Sequence, residues 1–228
     1  MKSQDLLILL KLVSLSKDEQ QFRSLVPPRQ EYLKSSWEGW DSIEEDYMLL
    51  EGDLGVSLDT DLNAIDVSPE LTAQRYSVRS LASSTGIGKT EVNNSIKRMK
   101  QVGLVRSDRK TGMPKANTKA LVELIVHAVR YVFPAQMGTV TRGIPTAFSA
   151  PILASELSSP GELVPVWPDP YGKTKGQAVE PLYKSVPHAV RRDPFLYGLL
   201  ALTDAIRIGS VRETTLAAEQ LRRETKDL

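Results

Sequence analysis

The sequence predicts a mainly α fold with one small β wing, joined to an irregular, proline-rich C-terminal region that ends in two helices. Three observations carry this. Apolar residues recur at helical spacing through residues 76–132, with one Gly-Leu-Val step and a basic turn between the second and third patterns. Ten of the fourteen prolines lie from Pro134 onward, where helices are hard to sustain. Helical pattern returns at Pro194–Ile208 and again after Ser210. With 41% hydrophobic and 25% charged residues, the chain has the balance of one that buries a real core.

Taken in order, residues 4–15 are leucine-rich and read as a buried first helix. Asp5 and Lys11 interrupt that run and no small-residue cleavage site follows, so it is not read as an export signal. Residues 17–75 read as an acidic insertion with a short helix or two, containing Pro27-Pro28, Trp37, Trp40 and the apolar Tyr47-Met48-Leu49-Leu50. Residues 134–190 are expected to be mostly irregular, with short extended pieces such as Val164–Trp167. Ser210 and Glu213 have the spacing of a capping box, so a last helix should run to about Leu221. The division expected is 1–132 for the first domain and 133–228 for an interaction or dimerisation region.

The net charge of +1 conceals a strong asymmetry. From Trp40 to Glu70 there is no Lys or Arg, against ten carboxylates. From Arg75 to Lys119 eleven Lys and Arg face only Glu91 and Asp108. A local basic block is what phosphate binding requires, whatever the whole-chain average. The acidic run reads as a solvated surface, or as a segment that competes for the basic face.

Several chemistries find no residue set. There are no cysteines, so disulfides, thiolate nucleophiles and Cys-based zinc sites are excluded. Two histidines, His127 and His188, do not make a His-rich metal site. His127 is expected in a core or interface, and His188 on the surface. No metal, cofactor, membrane segment or catalytic constellation is expected, and the absence of cysteine and export signal points to the cytoplasm. Gly86-Ile87-Gly88-Lys89-Thr90 has the end of a phosphate-binding loop, but its first glycine would fall at Ser83 and a helix precedes it.

The stretch Tyr76–Val105 carries the most information. Ser77 is placed to cap a short helix. Leu81 and Ala82 lie on its inner side, and Gly86 stands where a sharp turn needs left-handed backbone. Ile87 plugs the core beneath the turn. A second helix then begins near Gly88, with Val92, Ile96 and Met99 as its buried stripe. Lys89, Thr90, Asn93, Asn94 and Lys97 therefore point outward. Gly103-Leu104-Val105 ends that helix and opens a strand, and Arg106–Lys115 forms a tight basic loop. Thr118–Tyr131 closes the domain as an apolar helix.

Leu81-Ala82, Gly86-Ile87, Val92, Lys97-Arg98 and Gly103-Leu104-Val105 followed by a basic loop resemble the winged helix-turn-helix regulators of the MarR-like type. The resemblance covers about a quarter of the chain and implies duplex DNA as partner, bound by a homodimer acting as a repressor. On it, Lys89, Thr90, Asn93 and Asn94 would read bases in the major groove. Ser77, Lys97, Arg98, Arg106, Arg109, Lys110 and Lys115 would hold phosphates. The C-terminal segments Tyr131-Val132-Phe133-Pro134, Thr141–Thr146, Val166–Asp169 and Leu199–Arg207 resemble bacterial winged-helix proteins more loosely. They keep open an antitoxin-like or adaptor protein that holds a protein partner through this region. Trp167 and Tyr171 are expected to pack against the first domain, or else to line a small-molecule pocket, and Arg142 is a candidate contact to DNA or an acidic partner.

Overall fold

The first helix, α1 (Ser3–Ser24), is apolar on nearly every side from Leu6 to Leu15 rather than along one stripe, and that part can be stable only if covered all round. In the computed structural model, which describes residues 1–24, 69–154, 164–191, 193–226 and 228, every residue from Gln4 to Leu15 is buried. Other described elements pack around it. After α2 (Pro69–Arg75) come α3 (Val78–Thr85), α4 (Lys89–Gln101), the hairpin β1 (Val105–Ser107) and β2 (Pro114–Ala116), and α5 (Thr118–Val132). Helices α3 and α4 and strand β2 lie against α1. The helix thus runs nine residues past the expected Leu15, into the stretch read as an insertion. The acidic run from Trp40, with Trp37 and Tyr47–Leu50, lies outside the described residues, apart from Glu70 in α2.

The C-terminal region contributes a second buried helix, α8 (Pro194–Ile208), in which every residue from Pro194 to Arg207 is buried. It packs on α1 and α5, and the last helix, α9 (Val211–Thr225), packs on α8 and α5. The two final helices fall where the sequence places them. Glu213 Oε2 accepts from the Ser210 N–H at 2.6 Å, as the cap spacing predicts. Leu6, Leu81, Ile125, Leu200 and Leu221 belong to one continuous core. The change of sequence character at residue 133 is therefore not a division between two cores.

Residues 134–190 correct the sequence reading. The extended piece expected at Val164–Trp167 is there as β4 (Pro165–Pro168), but among the described residues the region is more regular than expected, with β3 (Met137–Pro145), a turn of 3-10 helix (Ala147–Ser149), α6 (Pro151–Ala154), β5 (Thr174–Val179) and α7 (Val186–Arg191). Strands β3, β4 and β5 close on one another, β3 antiparallel to both and β4 parallel to β5. The prolines that argue against regular structure stand where their missing N–H costs little. Pro145, Pro165 and Pro168 are at strand ends, and Pro151 and Pro194 open helices. Gly143 lets the strands close so tightly: a Cβ there would lie 1.9 Å from the Trp167 carbonyl oxygen.

The small barrel is pinned to α8. Trp167 is buried, its Nε1 donates to Asp204 Oδ2 at 2.6 Å, and its ring stands edge-on to Tyr197 at 5.9 Å between centroids. Thr146 Oγ1 at 3.1 Å and Arg207 at 2.6 Å also donate to Asp204, so the buried carboxylate is fully occupied. Trp167 therefore packs on the C-terminal core helix rather than on the first domain. Tyr171 corrects the expectation in the other direction, being 80% exposed. His127 does too: it lies on the outer face of α5, 3.1 Å from Glu123, rather than in a core.

Asp193 joins the two buried helices. Its Oδ1 caps α8 by accepting from the Leu196 N–H at 2.8 Å, while Oδ2 accepts from Lys11 Nζ at 2.8 Å and Ser14 Oγ at 2.7 Å on α1. Both charged side chains are at most 10% exposed. Removing one partner of such a pair leaves a buried charge unpaired. Asp193→Ala is expected to destabilise the fold by about 3 kcal/mol, read from urea unfolding followed by circular dichroism.

Candidate nucleic-acid interface

The candidate interface is built from α3, α4 and the β1–β2 hairpin. Ser77 caps α3, its hydroxyl accepting from the Ser80 N–H at 3.1 Å, as its spacing predicts. Gly86 ends α3 at φ +66°, a left-handed conformation. A Cβ there would also press on the Ser185 and His188 side chains, at 3.0 and 3.1 Å, which would have to give way. Ile87 is buried beneath the turn. Helix α4 then buries Val92, Ile96 and Met99, the expected stripe, together with Ser95.

That burial turns Lys89, Thr90, Asn93 and Lys97 to solvent, with Asn94 half-buried at the margin. Positions 89, 93, 97 and 100 follow one another at helical spacing, so Lys89, Asn93, Lys97 and Lys100 form one polar, basic stripe. Glu91, the one acidic residue of α4, is held off it: Lys2 lies 3.6 Å away and Gln4 donates to it at 2.5 Å.

The hairpin loop has its own scaffold. Asp108 Oδ1 accepts from the Lys110 N–H at 2.9 Å, the Thr111 N–H at 2.8 Å and the Thr111 hydroxyl at 2.9 Å. These donors, Thr111 first, hold its carboxyl below the usual range. The only acid of the loop is thus spent on folding it. Arg106, Arg109 and Lys110 are exposed around it, and Gly112 closes the turn at φ +71°.

Two of the expected phosphate ligands face the other way. Arg98 reaches the buried Asp5 of α1 at 2.5 Å, beside a hydrogen bond from Ser95 to the same carboxylate. Lys115 lies in β2 opposite Arg106, but its Nζ donates to Glu19 and to the Tyr76 hydroxyl, each at 2.6 Å, and sits over the Tyr76 ring. Both cations compensate carboxylates that α1 carries inward. The sequence pattern cannot separate them from their exposed neighbours, because the partners lie more than ninety residues away.

The C-terminal region also touches the turn between α3 and α4. Ser185 Oγ donates to the Thr85 carbonyl at 2.6 Å, and His188 Nε2 lies 3.1 Å from the Ser83 carbonyl oxygen. No local motif signals this contact. Among the described residues there is no cluster of three or more metal-ligating side chains and no helix long and apolar enough to cross a membrane. Comparison with protein-family models, curated proteins and solved structures finds no match.

Two outcomes test this division of charges. Burial alone would raise the Asp5 carboxyl, but donors from Arg98, Ser95 and the Lys2 N–H bring it below its ordinary value. Its contribution is therefore present above the unfolded pKa near ~4 and is lost as pH falls through the lower folded value. Asp5→Asn should cost about 1–2 kcal/mol at neutral pH, a difference that vanishes in strong acid, measured by urea unfolding across pH. Lys115→Ala should cost about 2 kcal/mol, whereas Lys97→Ala should change stability by less than about 0.5 kcal/mol in the same assay.

Proposed function

We propose that α3, α4 and the β1–β2 hairpin work as a winged helix-turn-helix that binds duplex DNA, and that the chain is a transcriptional regulator. The observation that carries this reading is the sorting of charge on α4 and the hairpin. Lys89, Thr90, Asn93 and Lys97 are exposed on α4, Arg106, Arg109 and Lys110 are exposed on the hairpin, and the two acids among them are engaged elsewhere. Short polar and basic side chains on the N-terminal half of a second helix suit base edges in the major groove. Exposed Arg and Lys on a hairpin suit the phosphate backbone beside it.

In this reading Lys89, Thr90, Asn93 and Asn94 read bases, and Lys97, Arg106, Arg109 and Lys110 hold phosphates. Ser77, Arg98 and Lys115 leave the contact set, since a cap and two ion pairs already use them. A single recognition helix reads only a few base pairs, so a homodimer on an inverted repeat is the natural form of such a regulator. A second reading, a protein partner held by the C-terminal half, is favoured by Tyr131, Val132, Met137 and Val140, which are large, apolar and exposed.

The test is fluorescence anisotropy with duplexes from the chain's own upstream region, at several salt concentrations. Arg109→Ala with Lys110→Ala should lower the slope of log K against log salt by roughly 2, uniformly across sequences. Lys89→Ala with Asn93→Ala should relax sequence preference by about 1–3 kcal/mol per contacted base. Intact preference in the second variant would show that α4 is not the reading helix.

A further inference from the structure

The small barrel carries a second cationic surface that the α4 face does not include. Arg142 on β3 stands directly opposite Lys175 on β5, and both are exposed. Like charges directly opposite on paired strands destabilise them. Among the described residues neither cation has a carboxylate within ion-pair distance. The nearest acid in the same turn, Asp169, is buried and already accepts from Arg191 at 2.6 Å and from the Tyr171 N–H at 2.8 Å. Lys173 is exposed beside them, as is the Tyr171 ring, over which the Arg191 guanidinium lies 5.4 Å from the centroid.

This surface has a fixed relation to α4. Ser185, just before helix α7, and His188 within it touch the turn before α4, and the last residue of α7, Arg191, binds the Asp169–Tyr171 turn. From Ser185 to Arg191 a helix advances about 9 Å. The turn beside Arg142 is thus joined to the turn that aims α4 by contacts through one short helix.

We propose that Arg142 and Lys175 form a second phosphate-contacting surface that engages the backbone of the same duplex, flanking the part read by α4. The inference rests on the DNA-binding reading above and extends its footprint. A nucleic-acid backbone fits the two facing cations by charge, since phosphate contacts need charge alone; an acidic protein, which would also use the exposed Tyr171 and Val140 beside them, is the outcome the polyglutamate comparison detects. An anionic backbone would also neutralise the cross-strand repulsion that the strands otherwise carry.

The experiment compares Arg142→Ala with Lys175→Ala, together, against the full-length wild-type chain on a short duplex of about 12 base pairs and a long one of about 30. The salt slope on the long duplex should fall by roughly 2, with little change on the short one. A glutamine pair at the same positions should behave alike, and matching thermal unfolding confirms the fold. An unchanged slope on the long duplex overturns the inference, as does tighter binding of polyglutamate than of duplex DNA. A wild-type chain that binds neither duplex fails the DNA-binding reading itself. Wild-type binding with an unaltered variant fails only the second surface.

Discussion

The burial of α1 is the constraint on which the rest of the structure depends. From Gln4 to Leu15 the helix has no solvent face, so α3, α4, β2 and α8 close over it. Its polar residues are consequently carried into the interior, where each needs a partner. Asp5 takes Ser95 and Arg98 of α4, Lys11 and Ser14 take Asp193 at the head of α8, and Glu19 takes Lys115 of β2. Each of these grips fixes one surrounding element against the same rod. The register of α4 and the hairpin relative to each other follows from α1 as much as from the turn between them.

That arrangement divides a basic stretch into two populations with different work. Arg98 and Lys115 neutralise carboxylates that α1 brings inside, and their loss is felt as stability. Lys89, Lys97, Arg106, Arg109 and Lys110 answer no such demand and remain on the surface. A protein gains little stability from exposed cations gathered on one face, and their mutual repulsion works against it. Their concentration beside Thr90 and Asn93 is the physical reason for reading this face as one that meets an anionic polymer.

Local patterns in the sequence were legible where structure is decided locally. Gly86 in a left-handed turn, Ser77 as a cap, the stripe of Val92, Ile96 and Met99, and the Glu213 cap all follow from spacing and backbone chemistry. What depends on distant partners was not. The inward turn of Arg98 and Lys115 is set by Asp5 and Glu19, and the contact of His188 and Ser185 with the α3–α4 turn spans about a hundred residues. The barrel was hidden for a related reason. Its strands are interrupted by proline or glycine and stabilised by closure on one another and by Trp167 on α8, so no strand carries a strong pattern of its own.

The account is tested most directly by amide hydrogen exchange with and without duplex DNA. Binding should slow exchange in the backbone from Lys89 to Lys97 and from Arg106 to Gly112, while the already protected core of α8 stays unchanged. Protection confined to other elements, or none at DNA concentrations that saturate anisotropy, would contradict the claim that the exposed face of α4 and its hairpin is the DNA-binding surface.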